Sequence, residues 1–508
     1  MRHPFRSRSI FVAAVPVAVV LGGCGQKTEP GIQVPTAGTG AGGAASAGQS
    51  STPVAGSTGP GPGITLGGAG GASSLPGACQ GLECQQTTCT IGECTQMACA
   101  PGTATRVSGV VYDPAGKVPL YNVVVYVPNG AVPPIQSGAS CDRCDASVMD
   151  PLVAALTDTS GRFVLEDVPV GANIPLVIQI GKWRRQVTIP SVTACADTVL
   201  EDRNLTRLPR NQTEGDIPLI AIATGGADSM ECLPRRMGLD DSEFTTDTGS
   251  GRIHLFSGAD SNQDIPTKAF DATLNGGAAL TRATSLWSSA DTLARYDIVI
   301  LSCEGGTVES EKPEPVRQGL YDYASRGGRV FASHWHRIWF SNGPAPVPMV
   351  GTWADRRDPP DPSPGMINTT FPKGQALAEW LVNVGASTAV GELSILEPRD
   401  NIQSVDPMYA TPWITTQNPQ YAQNPNAVQY LTFNTPLGVP AEQQCGRVVF
   451  NDLHVSSTGG DQPGEPFPLG CEQRDLSAQE KAVEFLLFDL SSCIQDDDDP
   501  PVPPRPPR

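Results

Sequence analysis

"GGRVFASHWHRIWF", residues 327–340, carries two of the chain's five histidines, His334 and His336, and two of its seven tryptophans, Trp335 and Trp339. A glycine pair opens the stretch, and the short apolar run RVFAS leads straight to the histidines. That pattern reads as a buried strand ending in a polar turn. Upstream, "ARYDIVILSCEGG" (294–306) has the same design: an almost fully apolar strand, then Cys303, Glu304 and two glycines. Between the two lies "EPVRQGLYDYASRGG" (314–328), a helix with a glycine stop.

Working outward, "DIPLIAIATGG" and "GRIHLFSG" read as earlier strands. "ADSMECLPRRMG" is a short helix limited by Pro234. "ATSLWSSADTLARY" has helical spacing that puts Leu286, Leu293 and Tyr296 near one face. Later come a helix, "GQALAEWLVNVGA", two strands, "NAVQYLTFN" and "GRVVFNDLHV", and a last helix, "SAQEKAVEFLLFDLSSC", where Ser477 and Glu480 form a capping box. Apolar strands alternating with helices over 215–494 predict an α/β domain on a doubly wound, flavodoxin-like parallel sheet. Ligands in such sheets bind beyond the carboxyl ends of the strands, here "ATGGADS", "SCEGG" and "SHWHR".

Residues 104–200 have another texture. "VSGVVYD", "YNVVVYV" and "RFVLEDV" are strands separated by Pro/Gly turns, and "IPLVIQIGKWRRQVTIP" supplies two more around Gly181. Short strands with regular turns predict a β-sandwich. In "GKWRRQ" the tryptophan should face inward and the arginines outward. The fold class is therefore multidomain: a β-sandwich, then an α/β domain.

The two ends address the chain. Residues 1–23 have a basic start and an apolar run of about a dozen residues, the length of a signal-peptide core and too short to span a bilayer. The run ends in Leu21-Gly22-Gly23-Cys24, which resembles the lipobox of bacterial lipoproteins. The resemblance implies acylation of Cys24, a lipid membrane as partner, and, with Gly25 rather than aspartate next, an outer-membrane lipoprotein facing the periplasm or the outside. Residues 24–77, rich in Gly, Ala, Ser and Pro, should be a disordered linker reaching roughly 40 Å. Residues 495–508, "IQDDDDPPVPPRPPR" from Ile494 onward, read as a disordered acidic/Pro tail, since four aspartates should not pack. A formal charge of −18 argues against nucleic acid as a partner.

Fourteen cysteines follow a signal peptide, so disulfides are the default. Cys79, Cys84, Cys89, Cys94 and Cys99 repeat every five residues in the segment 78–103. Five is odd, so one pairs elsewhere or stays free. A metal site is the lesser reading, because zinc ligands come as pairs at two separated places. Cys141 and Cys144 have redox C-x-x-C spacing but lie in a Gly/Pro/Ser-rich loop, which favours a structural clip.

Two further resemblances add to this. "SGVVYDPAGKVPLYNVVVYV" with "TDTSGRFVLEDVPVG" resembles the carboxypeptidase regulatory-like domain, a transthyretin- or immunoglobulin-like module that in its family is structural or adhesive. The order of elements from 215 to 494 resembles the class I glutamine amidotransferase-like fold, and within it the trehalose-utilisation-like branch. The resemblance implies that His334 stands where an amidotransferase carries its nucleophilic cysteine, and that His454 matches the base. With the elbow thiol missing, glutamine hydrolysis is not expected.

These readings leave a leading expectation and two alternatives. The first is a cell-envelope lipoprotein with a non-catalytic role, binding a glycan, peptide or protein partner through Trp335, His336 and Trp339, with no cofactor. The second is a metal-assisted hydrolase of envelope sugars or amides using His334, His454 and Glu304, with Asp452 as another carboxylate. Cys303 is a further catalytic candidate, or a disulfide partner of Cys232. The remote third, a lyase such as a tryptophan synthase α-type enzyme, needs more strand–helix pairs and a phosphate-binding glycine loop than the sequence holds.

Overall fold

The computed structural model describes residues 95–144, 151–261, 264–455 and 460–503. The lipidation site Cys24, the linker, and Cys79, Cys84, Cys89 and Cys94 lie outside the described residues. No described helix is long and apolar enough to cross a membrane.

Alternation shapes the first module. In Arg162–Leu165, Phe163 and Leu165 point inward and Val164 outward. This strand pairs antiparallel with Arg106–Val110, which pairs parallel with Asp197–Leu200. The turn before it requires Gly161, at φ 74°, where a Cβ would lie 2.7 Å from Pro119. A second sheet orders Pro151–Leu156, Val124–Pro128, Gly171–Ile180 and Trp183–Val192. Trp183 is buried against Phe488, 5.8 Å away edge-on, and Arg184 turns to Asp216.

The larger sheet is mixed, which corrects the expected parallel one. Thr281–Arg282, Ile253–Ser257, Ile220–Thr224, Ile298–Leu301, Arg329–Ser333 and Gly446–Asn451 run parallel in that spatial order. Asn426–Thr435 then pairs antiparallel with Gly446–Asn451, and Thr411–Gln417, Ser363–Ile367 and Glu392–Ile395 continue antiparallel. The link from Thr435 to Gly446 is too short to hold a crossover helix, so the chain can only return antiparallel. The stretch "ATSLWSSADTLARY" is two short helices, Ala283–Leu286 and Ala290–Leu293. The first ends at Leu286 with Trp287 as its cap, and Ser289 caps the second by accepting from the Thr292 N–H, a local bond that competes with helix continuation.

The two sequence-defined domains share one core. Tyr121 stacks on Phe485 at 5.6 Å, and the Trp380 indole N–H donates to the Pro119 carbonyl at 2.7 Å. Helix Ala478–Ser491 is buried almost all round because module and sheet both press on it. Its capping box is formed: Ser477 accepts from the Glu480 N–H and the Glu480 carboxylate accepts from the Ser477 N–H. Ser477→Ala should cost about 1 kcal/mol, read as a lower urea midpoint; an unchanged midpoint would show that burial alone holds this helix.

Four disulfides join the described residues. Cys99 bonds Cys195, outside its own repeat. Cys141 bonds Cys445 and Cys144 bonds Cys493, so this pair ties a loop of the first module to the α/β half rather than closing a local clip. Cys232 bonds Cys471, which removes the expected Cys232–Cys303 pair. The tail also needs correction. Asp497 is buried, because Arg447 and Thr432 offer it an ion pair and a hydroxyl donor at 2.7 and 2.9 Å.

Candidate functional site

Three neighbouring strand ends build the site. Ile298–Leu301 is apolar throughout and packs parallel to Arg329–Ser333, with Leu301 opposite Ala332. Ser333 is opposite Asn451 of Gly446–Asn451. Cys303, His334 and His454 therefore leave adjacent strands at the same edge. At His334 the chain turns sharply from strand into the helical turn His334–Arg337, and His334 takes φ 43°. A non-glycine residue in the left-handed region is uncommon and costs about 1–3 kcal/mol unless its surroundings enforce it.

The three side chains converge. Cys303 Sγ lies 3.4 Å from His334 Nδ1, and His334 Nδ1 lies 3.0 Å from His454 Nε2. Behind them, His454 Nδ1 is 2.9 Å from Glu397 Oε2 and 3.0 Å from Arg399 Nη2. All three cluster residues are buried. Burial, the neighbouring His454 and the guanidiniums of Arg399 and Arg337 hold His334 well below the usual imidazole range, so it is neutral. Burial pulls His454 the same way, but the Cys303 sulfur and the Glu397 carboxylate overcome it and raise His454 to about 10.

Glu304 does not join this cluster. It accepts from the Ala259 N–H at 2.8 Å and pairs with Lys312 at 2.6 Å, with both side chains buried. This corrects its expected role as a metal ligand or acid/base group: its carboxylate is occupied by a buried ammonium. Asp452 is turned away too, accepting from the Asn401 N–H at 2.6 Å, and burial lifts it to about 7.

The aromatic surface expected of this stretch is mostly interior. The Trp339 indole N–H donates to His336 Nδ1 at 2.9 Å, which leaves His336 Nε2 to donate to the Ser302 carbonyl at 2.8 Å. That tautomer is neutral, in accord with burial pulling His336 down to about 4. Trp339 meets Trp287 edge-on at 5.4 Å. His336 and Trp339 therefore pack the core and offer a ligand no face. Trp335 alone is half-buried, 4.8 Å from the His334 ring with Arg337 5.3 Å above its own.

Sequence reasoning missed Glu397 and Arg399. They sit in the loop "LEPRDN", with no motif spacing to His454, and only the fold brings them there. It also missed a cavity of about 780 Å³ elsewhere in the molecule. Val124, Tyr126, Leu156, Val132, Ile135 and Val502 give it apolar walls, drawn from both the first module and the C-terminal segment.

No family model matches the chain, and no curated protein matches it. Among solved structures, a cytoplasmic protein from Salmonella typhimurium is similar at 14% identity, covering 55% of this chain and all of its own, with a TM-score of 0.28. A ThuA-like protein from Bacteroides uniformis is similar at 10% identity over 53% of this chain and 89% of its own, with a TM-score of 0.26. A mutant type II cohesin–X-dockerin complex from Acetivibrio cellulolyticus is similar at 16% identity over 29% of this chain and 79% of its own, with a TM-score of 0.15. Likenesses of this size carry no functional argument.

Proposed function

We propose that this chain is a cell-envelope lipoprotein, anchored through acylated Cys24 in the outer membrane, whose folded part binds a peptide segment of an envelope partner. In this reading the first module is a β-sandwich of the carboxypeptidase regulatory-like kind, and the α/β half is an amidotransferase-like domain without glutaminase chemistry. Four disulfides support an oxidising compartment.

The observation that carries the binding reading is the cavity of about 780 Å³, within the size of ordinary ligand sites, about 300–1,000 Å³. Its lining combines aliphatic side chains and one aromatic ring, Tyr126, with amides such as Gln179 and the charged groups of Asp142, Arg143, Lys182 and Arg184. Sugars need several aromatic faces, of which this lining has one, whereas an extended chain with apolar side chains needs apolar walls beside polar groups that can meet its backbone. A panel of fluorescein-labelled apolar hexapeptides should contain binders whose affinity falls at least about tenfold in Leu156→Trp, which fills the cavity, a loss of about 1.4 kcal/mol. The same binders should be unaffected by joint His334→Ala and His454→Ala changes. Binding lost only in the histidine variant would move the ligand to the strand-end cluster and sink this proposal.

The second reading, a metal-assisted hydrolase, is favoured by one observation, the convergence of Cys303, His334 and His454.

A further inference from the structure

We propose that Cys303, His334 and His454 are the protein ligands of a single transition-metal ion, zinc in type, with Glu397 orienting His454 from behind. The inference is independent of the peptide reading above.

Three donor atoms lie within 4.8 Å of one another: Cys303 Sγ, one imidazole nitrogen of His334 and one of His454. A tetrahedral zinc with bonds of about 2.0–2.1 Å to nitrogen and about 2.3 Å to sulfur has ligand–ligand edges of about 3.3 Å and about 3.6 Å respectively. The observed edges are 3.0 Å between the histidines and 3.4 Å from Cys303 to His334. Opening each by a few tenths of an ångström makes room for the ion, a shift that side-chain torsions supply.

The orientation of the rings is that of a ligand set. His454 turns Nε2 inward; its Nδ1 has Glu397 Oε2 at 2.9 Å and Arg399 Nη2 at 3.0 Å, and an N–H at Nδ1 can donate only to the carboxylate. A carboxylate on the far nitrogen of a histidine ligand fixes the tautomer and raises its basicity. His334 turns Nδ1 inward from a backbone held at φ 43°, a conformation that the surrounding strands must enforce. Without an ion, two imidazoles and a thiol face one another in a buried site with only protons to share. With one, each donor gives a lone pair to the cation, so binding is expected to release protons.

The chemistry of the third ligand selects the metal. One thiolate with two imidazoles suits zinc and other borderline or soft ions and disfavours magnesium and calcium, which take oxygen ligands. Among the described residues Cys303 is the free cysteine, buried in a molecule whose other described cysteines are all in disulfides. A metal-bound thiolate explains how a thiol persists there. Three protein ligands leave the fourth position open, as in catalytic rather than closed structural zinc sites.

The test uses the full chain purified from an oxidising compartment without chelator. Plasma mass spectrometry should find about one zinc per chain, reduced at least about tenfold in Cys303→Ser, His334→Ala and His454→Ala. Glu397→Gln should keep the stoichiometry but weaken affinity about 10–100-fold in competition with a chromophoric chelator. Cobalt(II) exchanged into the wild type should show a thiolate charge-transfer band that Cys303→Ser lacks. Wild-type protein gives a readout that misfolding of a variant cannot spoil: stripping the zinc with a chelator should speed alkylation of Cys303, located by peptide mass mapping, and restoring zinc should slow it again. Zinc-independent alkylation, or equal metal content in all three ligand variants, overturns the assignment.

Discussion

Glu304→Gln should destabilise the protein by about 3–5 kcal/mol and leave its zinc content unchanged. The reason is what remains behind. Lys312 is fully buried, and its ammonium group touches Glu304 Oε2 at 2.6 Å, the Thr307 carbonyl at 3.1 Å and the face of Trp287 at 5.5 Å. Removing the carboxylate charge strands that ammonium in the interior. Lys312→Met should cost as much for the mirrored reason. The double variant Glu304→Leu with Lys312→Met should recover most of the loss, since a buried pair replaced by packed apolar groups is often neutral or better. Urea unfolding followed by tryptophan fluorescence reads all three. A loss under about 1 kcal/mol in the single variants would show that water reaches the pair. Acid adds a second check. Burial would raise the Glu304 carboxyl, but His336, Lys312 and the Ala259 N–H lower it below its ordinary value. A depressed folded pKa stabilises above the unfolded value of about 4.3, and that share is lost as pH falls through the folded value. The gap between wild type and Glu304→Gln should therefore narrow below pH 4.

The same pair shows where sequence reading stops. The strand ends were legible because IVIL and RVFAS are continuous apolar runs closed by polar turns, and parallel neighbours deliver their ends to one edge. So His334 and His454 could be expected to meet, and Cys303 to stand near them. Glu304 looked equally available because a strand end carries no record of which buried cation will claim its side chain. The tryptophans misled for a related reason. Trp335 and Trp339 lie four apart, but the chain enters a tight helical turn at His334, so His336 and Trp339 share the inward face and Trp335 is left outside. The packing of the two domains on each other is not legible locally, because Phe485, Phe488 and Trp380 look like one domain's core. Nothing local says that Tyr121, Trp183 and Pro119 complete it. Disulfides spanning 304 and 349 residues are equally invisible to spacing.

Arg447→Met should be as damaging, about 3–5 kcal/mol, because it takes a buried guanidinium from two carboxylates at once and leaves Asp497 without a directly paired cation. Arg447 is buried in the strand Gly446–Asn451 and binds Asp489 at 2.9 Å, Asp497 at 2.7 Å and the Asn434 amide oxygen at 2.9 Å. Asp489 keeps Lys373 at 2.7 Å, whereas Asp497 keeps only the Thr432 hydroxyl among its side-chain partners. Asp497→Asn should thus be the milder change, about 1–3 kcal/mol, with a pH signature. Burial pushes the Asp497 carboxyl up, but Arg447 and Lys373 outweigh it and lower the pKa. Its contribution is present above the unfolded value of about 3.9 and fades as pH falls through the folded one. Wild type and Asp497→Asn should therefore differ in urea midpoint at pH 7 and converge toward pH 3. Ending the chain after Cys493 should cost at least as much as Asp497→Asn; a silent truncation would restore the reading of this segment as a free acidic tail. The structure favours a cost because Cys493 is bonded to Cys144 four residues before Asp497. A carboxylate tethered that close to a cross-link has little chain entropy left to lose on ordering, so its ion pair with Arg447 is kept rather than cancelled.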